Sequence, residues 1–302
     1  MFRGAQKISL DGWDEIRTAY HVARLGTVSG AAEVLGVHHA TVIRHIDALE
    51  NRLGAKLFQR HARGYTPTEA GRDLLQVAQA TEDQFTQLAG RIRGRGDEVS
   101  GELTVTSLAI VSPLLTPTLA EFQAAHPGLV IRFLTDERLF RLEYGEAHVA
   151  VRAGAAPDQP DNVVQPFLKM RHALYAAKSY AARRGLPRSD AELEGHAFVG
   201  EDSGKSPAPF LRWLRETVPP AAVNWRTASI GAMHDAVRAG AGIGFMPVYM
   251  GAADPNLVEV LPTREEWMSP LWLVTHVDLH RTAKVQAFLK FVKDAARDWG
   301  EV

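Results

Sequence analysis

Apolar positions in the first part of the chain recur at helical spacing. Trp13, Ile16, Tyr20 and Ala23 form one stripe, and Val28, Ala31, Ala32 and Leu35 form a second at i, i+3, i+4, i+7. The two alanines let another helix approach closely. Gly36 ends the second helix where positive φ is wanted, and Val37 plugs the turn into the core. A third helix follows. With Val42 at zero and roughly 100° per residue, Ile46, Leu49 and Leu53 fall within about 40° of it. Ala40, Thr41, Arg44 and Asn51 lie on the far side, and Ile43 at the boundary. One side is core and the other is free, as a helix entering a DNA major groove requires.

After Gly54, the runs Lys56 to Arg60 and His61 to Thr66 flank an Arg63-Gly64 tip, the pattern of a β-hairpin wing. Arg60 and Arg63 on such a wing are candidates for phosphate or minor-groove contact. A long helix is predicted from Thr68, its cap, to Arg95. Leu74, Ala78, Thr81, Phe85, Leu88 and Ile92 are spaced 4, 3, 4, 3, 4 along it, a heptad seam that suits either a second copy or this chain's own helices. The Gly-rich, charged stretch 94–102 lacks periodicity and predicts a hinge at 96–100.

Beyond it, strands and helices alternate, the pattern of sheets with helical crossovers. Strands are predicted at 103–110, 129–134, 148–154, 172–178, 196–199, 222–229, 242–247 and 270–277. Helices are predicted from Pro113 to about 125, Leu139 to Tyr144, Phe210 to Thr217, Ile230 to Ala239 and Thr282 to Trp299. The result is a multidomain α+β and α/β chain of three parts.

Composition adds little to this until it is divided. Lys and Arg number 34 against 35 Asp and Glu overall, but residues 1–95 hold 13 against 10, leaving a net of +3 beside −4 for the remainder. The excess of Arg44, Arg52, Lys56, Arg60 and Arg63 over Asp47 and Glu50 falls on the helix and wing that would meet DNA. The chain has no cysteine, which excludes disulfides and thiolate metal sites. The N-terminal residues lack the apolar core of a signal peptide, so a cytoplasmic protein without membrane contact is expected.

Several motifs are rejected. His38, His39 and His45 do not share a helical face, so no metal site is expected there, and contact with phosphate, base or solvent remains. GEDSGKS at 200–206 has three residues between its glycines where a phosphate loop needs four, and prolines follow. Gly240, Gly242 and Gly244 miss the dinucleotide spacing. Neither a Gly-x-Ser-x-Gly elbow nor a paired-carboxylate constellation is present, so no enzyme is expected.

WDEIRTAYHVARLG, TVSGAAEVLGV, HATVIRHIDALENRLGAKLFQR and TPTEAG, with their spacing, resemble the LysR-type transcriptional regulators. HPGLVIRF, HVAVRAG, DAVRAGAGIGFMP and PLWLVTH are similar to that family's effector-binding region. Departures are His38 where the family carries a Ser N-cap, Ala19 for an aromatic, and Ile43 for a polar residue. The resemblance implies a winged helix-turn-helix DNA-binding domain (1–67), a dimerisation linker helix (68–95) and an effector domain (101–302). That domain would have two Rossmann-like lobes, similar to periplasmic solute-binding proteins, with lobe 1 about 101–168 and 275–302 and lobe 2 about 169–274.

Double-stranded DNA, a small-molecule effector, a homodimer or tetramer, and RNA polymerase are the implied partners, with no cofactor. DNA contacts are expected from His38, His39, Ala40, Thr41, Ile43, Arg44, Arg60 and Arg63. Ligands of open α/β sheets sit beyond the C-terminal strand ends, so the cleft should gather Thr106, Ser107, Thr135, Arg152, Glu201, Ser229 and Phe245. Arg152 favours an anion there, whereas Asp136, Glu137, Glu201 and Asp202 oppose one. The alternative is a DNA-binding architectural protein or repressor without an effector.

Overall fold

The computed structural model describes residues 12–62, 64–92, 99–135 and 140–300. Arg63, most of the expected hinge, Asp136, Glu137 and the expected helix start at Leu139 lie outside them. So do the side chains of Leu88 and Ile92.

Helices α1 (Trp13–Leu25), α2 (Val28–Leu35) and α3 (His39–Leu53) pack around Ala19, Val22, Val28, Ala31, Val42, Ile46 and Leu49, all buried. Thr27 caps α2, accepting from Gly30 N at 3.2 Å. Strands β1 (Phe58–His61) and β2 (Gly64–Pro67) form the antiparallel wing. Gly64, at φ +146°, lets it close on the α1–α2 turn: Tyr65 N donates to Gly26 O at 2.8 Å, and a Cβ on Gly64 would run into that carbonyl.

The linker helix α4 (Glu69–Ile92) starts at Thr68, whose hydroxyl accepts from Gly71 N at 3.2 Å. Its seam does not stand free. Leu74 packs on the helix-turn-helix core, Ala78 is buried, and Phe85 meets Trp13 edge-on at 5.2 Å. Thr81 turns back to Val77 O at 2.8 Å. The seam's first half therefore lies on α1 of the same chain, because Trp13 and Tyr20 offer a broad apolar surface beside it. Phe85 stays 51% exposed, and Val77, off the expected seam, 62%.

The first lobe is a five-stranded sheet ordered β4-β3-β5-β12-β6. It comprises β3 (Gly101–Ser107), β4 (Leu129–Thr135), β5 (Val149–Ala153), β6 (Asn162–Met170) and β12 (Ser269–His276), flanked by α5 (Ser112–Ala125) and α11 (Ala283–Ala295). The second lobe contains β7 (His172–Ala177), α6 (Lys178–Arg184), β8 (Phe198–Glu201), α7 (Pro209–Thr217) and β9 (Val223–Thr227). It continues with α8 (Ile230–Arg238), β10 (Gly244–Pro247), α9 (Val248–Ala253) and β11 (Leu257–Leu261). A short α10 (Val277–His280) follows β12.

Two boundaries differ from expectation. β12 pairs along its length with β6 and β5 inside lobe 1, so an expected lobe boundary at 274/275 cuts a strand that belongs whole to lobe 1. β6, absent from the expected strands, carries the chain from lobe 1 into lobe 2, as β12 carries it back. Pro166 hides it in the sequence, and the sheet tolerates that proline because β6 is an edge strand with a register shift beside it. No helix among the described residues is long and apolar enough to cross a membrane.

Candidate DNA interface and inter-lobe cleft

The outer side of α3 is open. His38, His39, Ala40 and Arg44 are exposed and Thr41 and Ile43 half-buried, opposite the fully buried Val42, Ile46 and Leu49. His38 sits at the N-cap with extended backbone, and its side chain makes no cap hydrogen bond among the described residues. His45 is turned back on α1. The Thr18 hydroxyl donates to Asp14 O at 2.6 Å and accepts from His45 Nδ1 at 2.9 Å.

Glu50, missed in the sequence, holds the wing to this helix. Its Oε1 accepts from Leu57 N at 2.9 Å and Phe58 N at 3.2 Å, and its Oε2 from Lys56 Nζ at 2.6 Å and Arg60 Nη2 at 3.0 Å. Burial pushes the Glu50 carboxyl up, but these donors outweigh burial and hold it below the usual carboxylate range. Arg60 also pairs with Asp47 at 2.6 Å and stacks over Tyr65. Two carboxylates thus hold Arg60, which positions the wing while its side chain stays 36% exposed.

Between the lobes, Thr106 and Ser107 end β3 and are buried, Thr135 ends β4 in register with Ser107 and is exposed, and Arg152 lies near the end of β5. Arg152 Nη2 donates to Phe140 O at 2.6 Å, and burial holds its pKa down. Ser229 is exposed and caps α8 from the other lobe, accepting from Ala232 N at 3.4 Å. The lobes touch. The Tyr249 hydroxyl donates to Ile110 O, and α8 packs on the Ala109–Val111 turn. Tyr249 was not foreseen, because nothing local in the sequence marks a side chain that crosses a cleft.

One expected cleft residue also folds its own loop, and another is buried inside lobe 2. Glu201 Oε1 accepts from Ser203 Oγ, Lys205 N and Ser206 N at 2.5, 2.7 and 2.8 Å, folding its own loop, and its charge faces Arg215. Phe245 is buried in β10, with its ring 4.9 Å from Trp267 and 5.4 Å from Phe210. A four-residue strand buried on both faces offers the cleft no side chain from that position.

At the same end of lobe 2, His172 stacks on Phe210 at 4.0 Å. Burial, then the nearby His234, pushes its imidazole down to about 3, and burial with Arg238 takes His234 to about 4. Both rings are neutral at pH 7. No three His, Asp or Glu side chains among the described residues are placed to hold a metal ion.

The family model described as the LysR substrate binding domain matches residues 96–297, and the bacterial regulatory helix-turn-helix protein, lysR family, matches residues 13–72. The chain belongs to the LysR family. It is a DNA-binding transcriptional regulator with an effector-binding domain. Among curated relatives, the uncharacterized HTH-type transcriptional regulator YhjC of Escherichia coli (strain K12) is 29% identical over 270 residues, covering 81% of this chain and 89% of YhjC.

Full-length OxyR from Pseudomonas aeruginosa shares the fold with a TM-score of 0.72 at 16% identity, over 99% of this chain and 97% of that one. Full-length LysG from Corynebacterium glutamicum with bound effector Arg superposes with a TM-score of 0.67 at 20% identity, over 94% and 98% of the two chains. As a LysR-type regulator the chain keeps the wing and the helix-turn-helix turns, while His38 leaves its recognition helix without a side-chain cap.

Proposed function

We propose that this regulator binds operator DNA as a dimer, with two copies of α3 in successive major grooves. Arg44 and Thr41 would read base edges. Ala40 and Ile43 supply apolar contact for a thymine methyl, and His38 and His39 lie at the helix end nearest the phosphates. The observation that carries this reading is the open outer side of α3 on a fully buried inner side, with the wing fixed beside it by Glu50.

Self-association is supported by Phe85 and Val77 on α4. It is also supported by two exposed sheet edges, β4 with Val130 59% exposed and β9 with Trp225 50% exposed. A small molecule seated between Thr106, Ser107, Thr135 and Arg152 on one lobe and Ser229 on the other would favour one lobe arrangement over another and so alter DNA binding.

Selection from a random duplex library by the full chain tests this. The expected product is a two-fold related site whose half-sites are about one helical turn apart. A library that emerges without enrichment contradicts the proposal.

A further inference from the structure

Two glutamines one turn apart on the linker helix, Gln76 and Gln79, reach the effector domain. Gln79 Nε2 lies 3.2 Å from His148 Nε2. Its carboxamide rests on Gly145, at φ +64°, where a Cβ would stand 2.6 Å from Gln79 Oε1. His148 is buried and locked to β3: its own N donates to Thr104 O, and Thr104 N donates to His148 Nδ1, each at 2.9 Å. The ring proton therefore sits on Nε2, and the pair closes as a hydrogen bond with the Gln79 carboxamide turned so that its oxygen accepts from it.

Gln76 Nε2 lies 3.0 Å from His276 Nε2, 3.2 Å from His276 Nδ1 and 3.4 Å from Asp278 Oδ2. His276 is buried and is the last residue of β12.

The position of that strand gives the contacts their meaning. β12 begins at Ser269, where the chain leaves lobe 2, and runs about 23 Å through the middle of the lobe 1 sheet to His276. β3 begins at Gly101, after the linker in the chain, and ends at Thr106 and Ser107, next to the Ala109–Val111 turn that meets lobe 2. Each strand thus has one end at the cleft and carries a histidine, bonded or integral, that meets a linker glutamine. On its opposite side α4 packs on α1, which packs on α3.

We propose that Gln76–His276 and Gln79–His148 form the joint through which a change in lobe setting reaches the DNA-binding domain. Gln76 and Gln79 act as positioning residues for the response. This rests on the cleft being the effector site. A two-point polar joint suits the task, because two polar contacts on adjacent turns fix both the position and the rotation of α4 against the lobe. An apolar patch would allow sliding.

The test needs neither operator nor effector. Tyr249→Phe removes the hydrogen bond across the cleft and serves as the perturbation. Hydrogen exchange is measured on the full chain for β12 and α4, in the native background and in Gln76→Leu/Gln79→Leu. In the native background, Tyr249→Phe is expected to change protection in both elements. In the double variant the β12 change remains and the α4 change is lost.

An α4 change of equal size in both backgrounds, or none in the native one, overturns the proposal. Gln76→Asn/Gln79→Asn, which shortens each arm but keeps it polar, repeats the comparison if the leucine variant does not fold. On a duplex selected by the native protein, Tyr249→Phe should shift affinity by about fivefold or more in the native background and by less than about twofold in the double variant. Failure to enrich any duplex would sink the DNA-binding proposal, while the exchange result would still decide the joint.

Discussion

The Arg60 guanidinium lies 3.0 Å from the Glu50 carboxylate, joining the wing to the helix that would enter the major groove. Glu50 also accepts the Leu57 and Phe58 amides, which are buried and would otherwise lack an acceptor. Glu50 is therefore the main hold of the wing on the recognition helix, with the Asp47–Arg60 pair and the Tyr65 amide on Gly26 O beside it.

Glu50→Ala should cost about 3 kcal/mol in denaturant unfolding of the DNA-binding domain, since it leaves buried donors without partners. Glu50→Gln should cost less, because its amide oxygen still accepts. Equal stability of Glu50→Ala and the native chain would show that the wing is held by something else.

The helix-turn-helix was legible because its period is 3.6 and its inner positions are wholly buried; Val42, Ile46 and Leu49 fall where the pattern put them. The hold of Arg60 on Asp47 and Glu50 is not legible in the sequence, because those partners are 13 and 10 residues away and the pairing depends on how the hairpin docks. Phe245 is expected in the cleft from a rule about strand ends, yet it is buried inside lobe 2. That rule finds the right end of the sheet but not the direction of a side chain. The seam on α4 has a genuine heptad period, which cannot distinguish a second copy from α1.

Acid should destabilise lobe 2. His172 and His234 titrate at about 3 and about 4 when folded, against roughly 6.5 when unfolded, so below pH 6.5 the unfolded chain takes up protons that the folded one refuses. Stability contributed by these rings is complete above pH 6.5 and falls as the pH drops towards 4 for His234 and towards 3 for His172. The loss at pH 5 is about 4 kcal/mol for the two together. Unfolding followed from pH 7 to 5 in His172→Gln and His234→Gln should show a shallower slope than the native chain. An unchanged slope would count against burial as the cause.

His38→Ser should supply the cap that α3 lacks. A serine at this position stabilises a helix by about 1 kcal/mol, so amide exchange at Ala40 should slow by about fivefold, whereas the Thr41 amide already donates to His38 O at 2.9 Å. Unaltered exchange would mean that the turn before α3 already satisfies the Ala40 amide.

Val77→Glu places a charge on the open side of α4, about two turns before Phe85. Sedimentation of this variant should show a weaker self-association than that of the native chain. Identical sedimentation profiles would remove α4 from the interface.

The central claim is that the outer side of α3 chooses the operator, and Arg44 tests it most directly. On a duplex selected by the native protein, Arg44→Ala should lose about 1 to 3 kcal/mol of binding and relax the preference at the base pair it reads, with the remaining positions unaffected. Unchanged affinity together with an unchanged selected sequence would contradict the account.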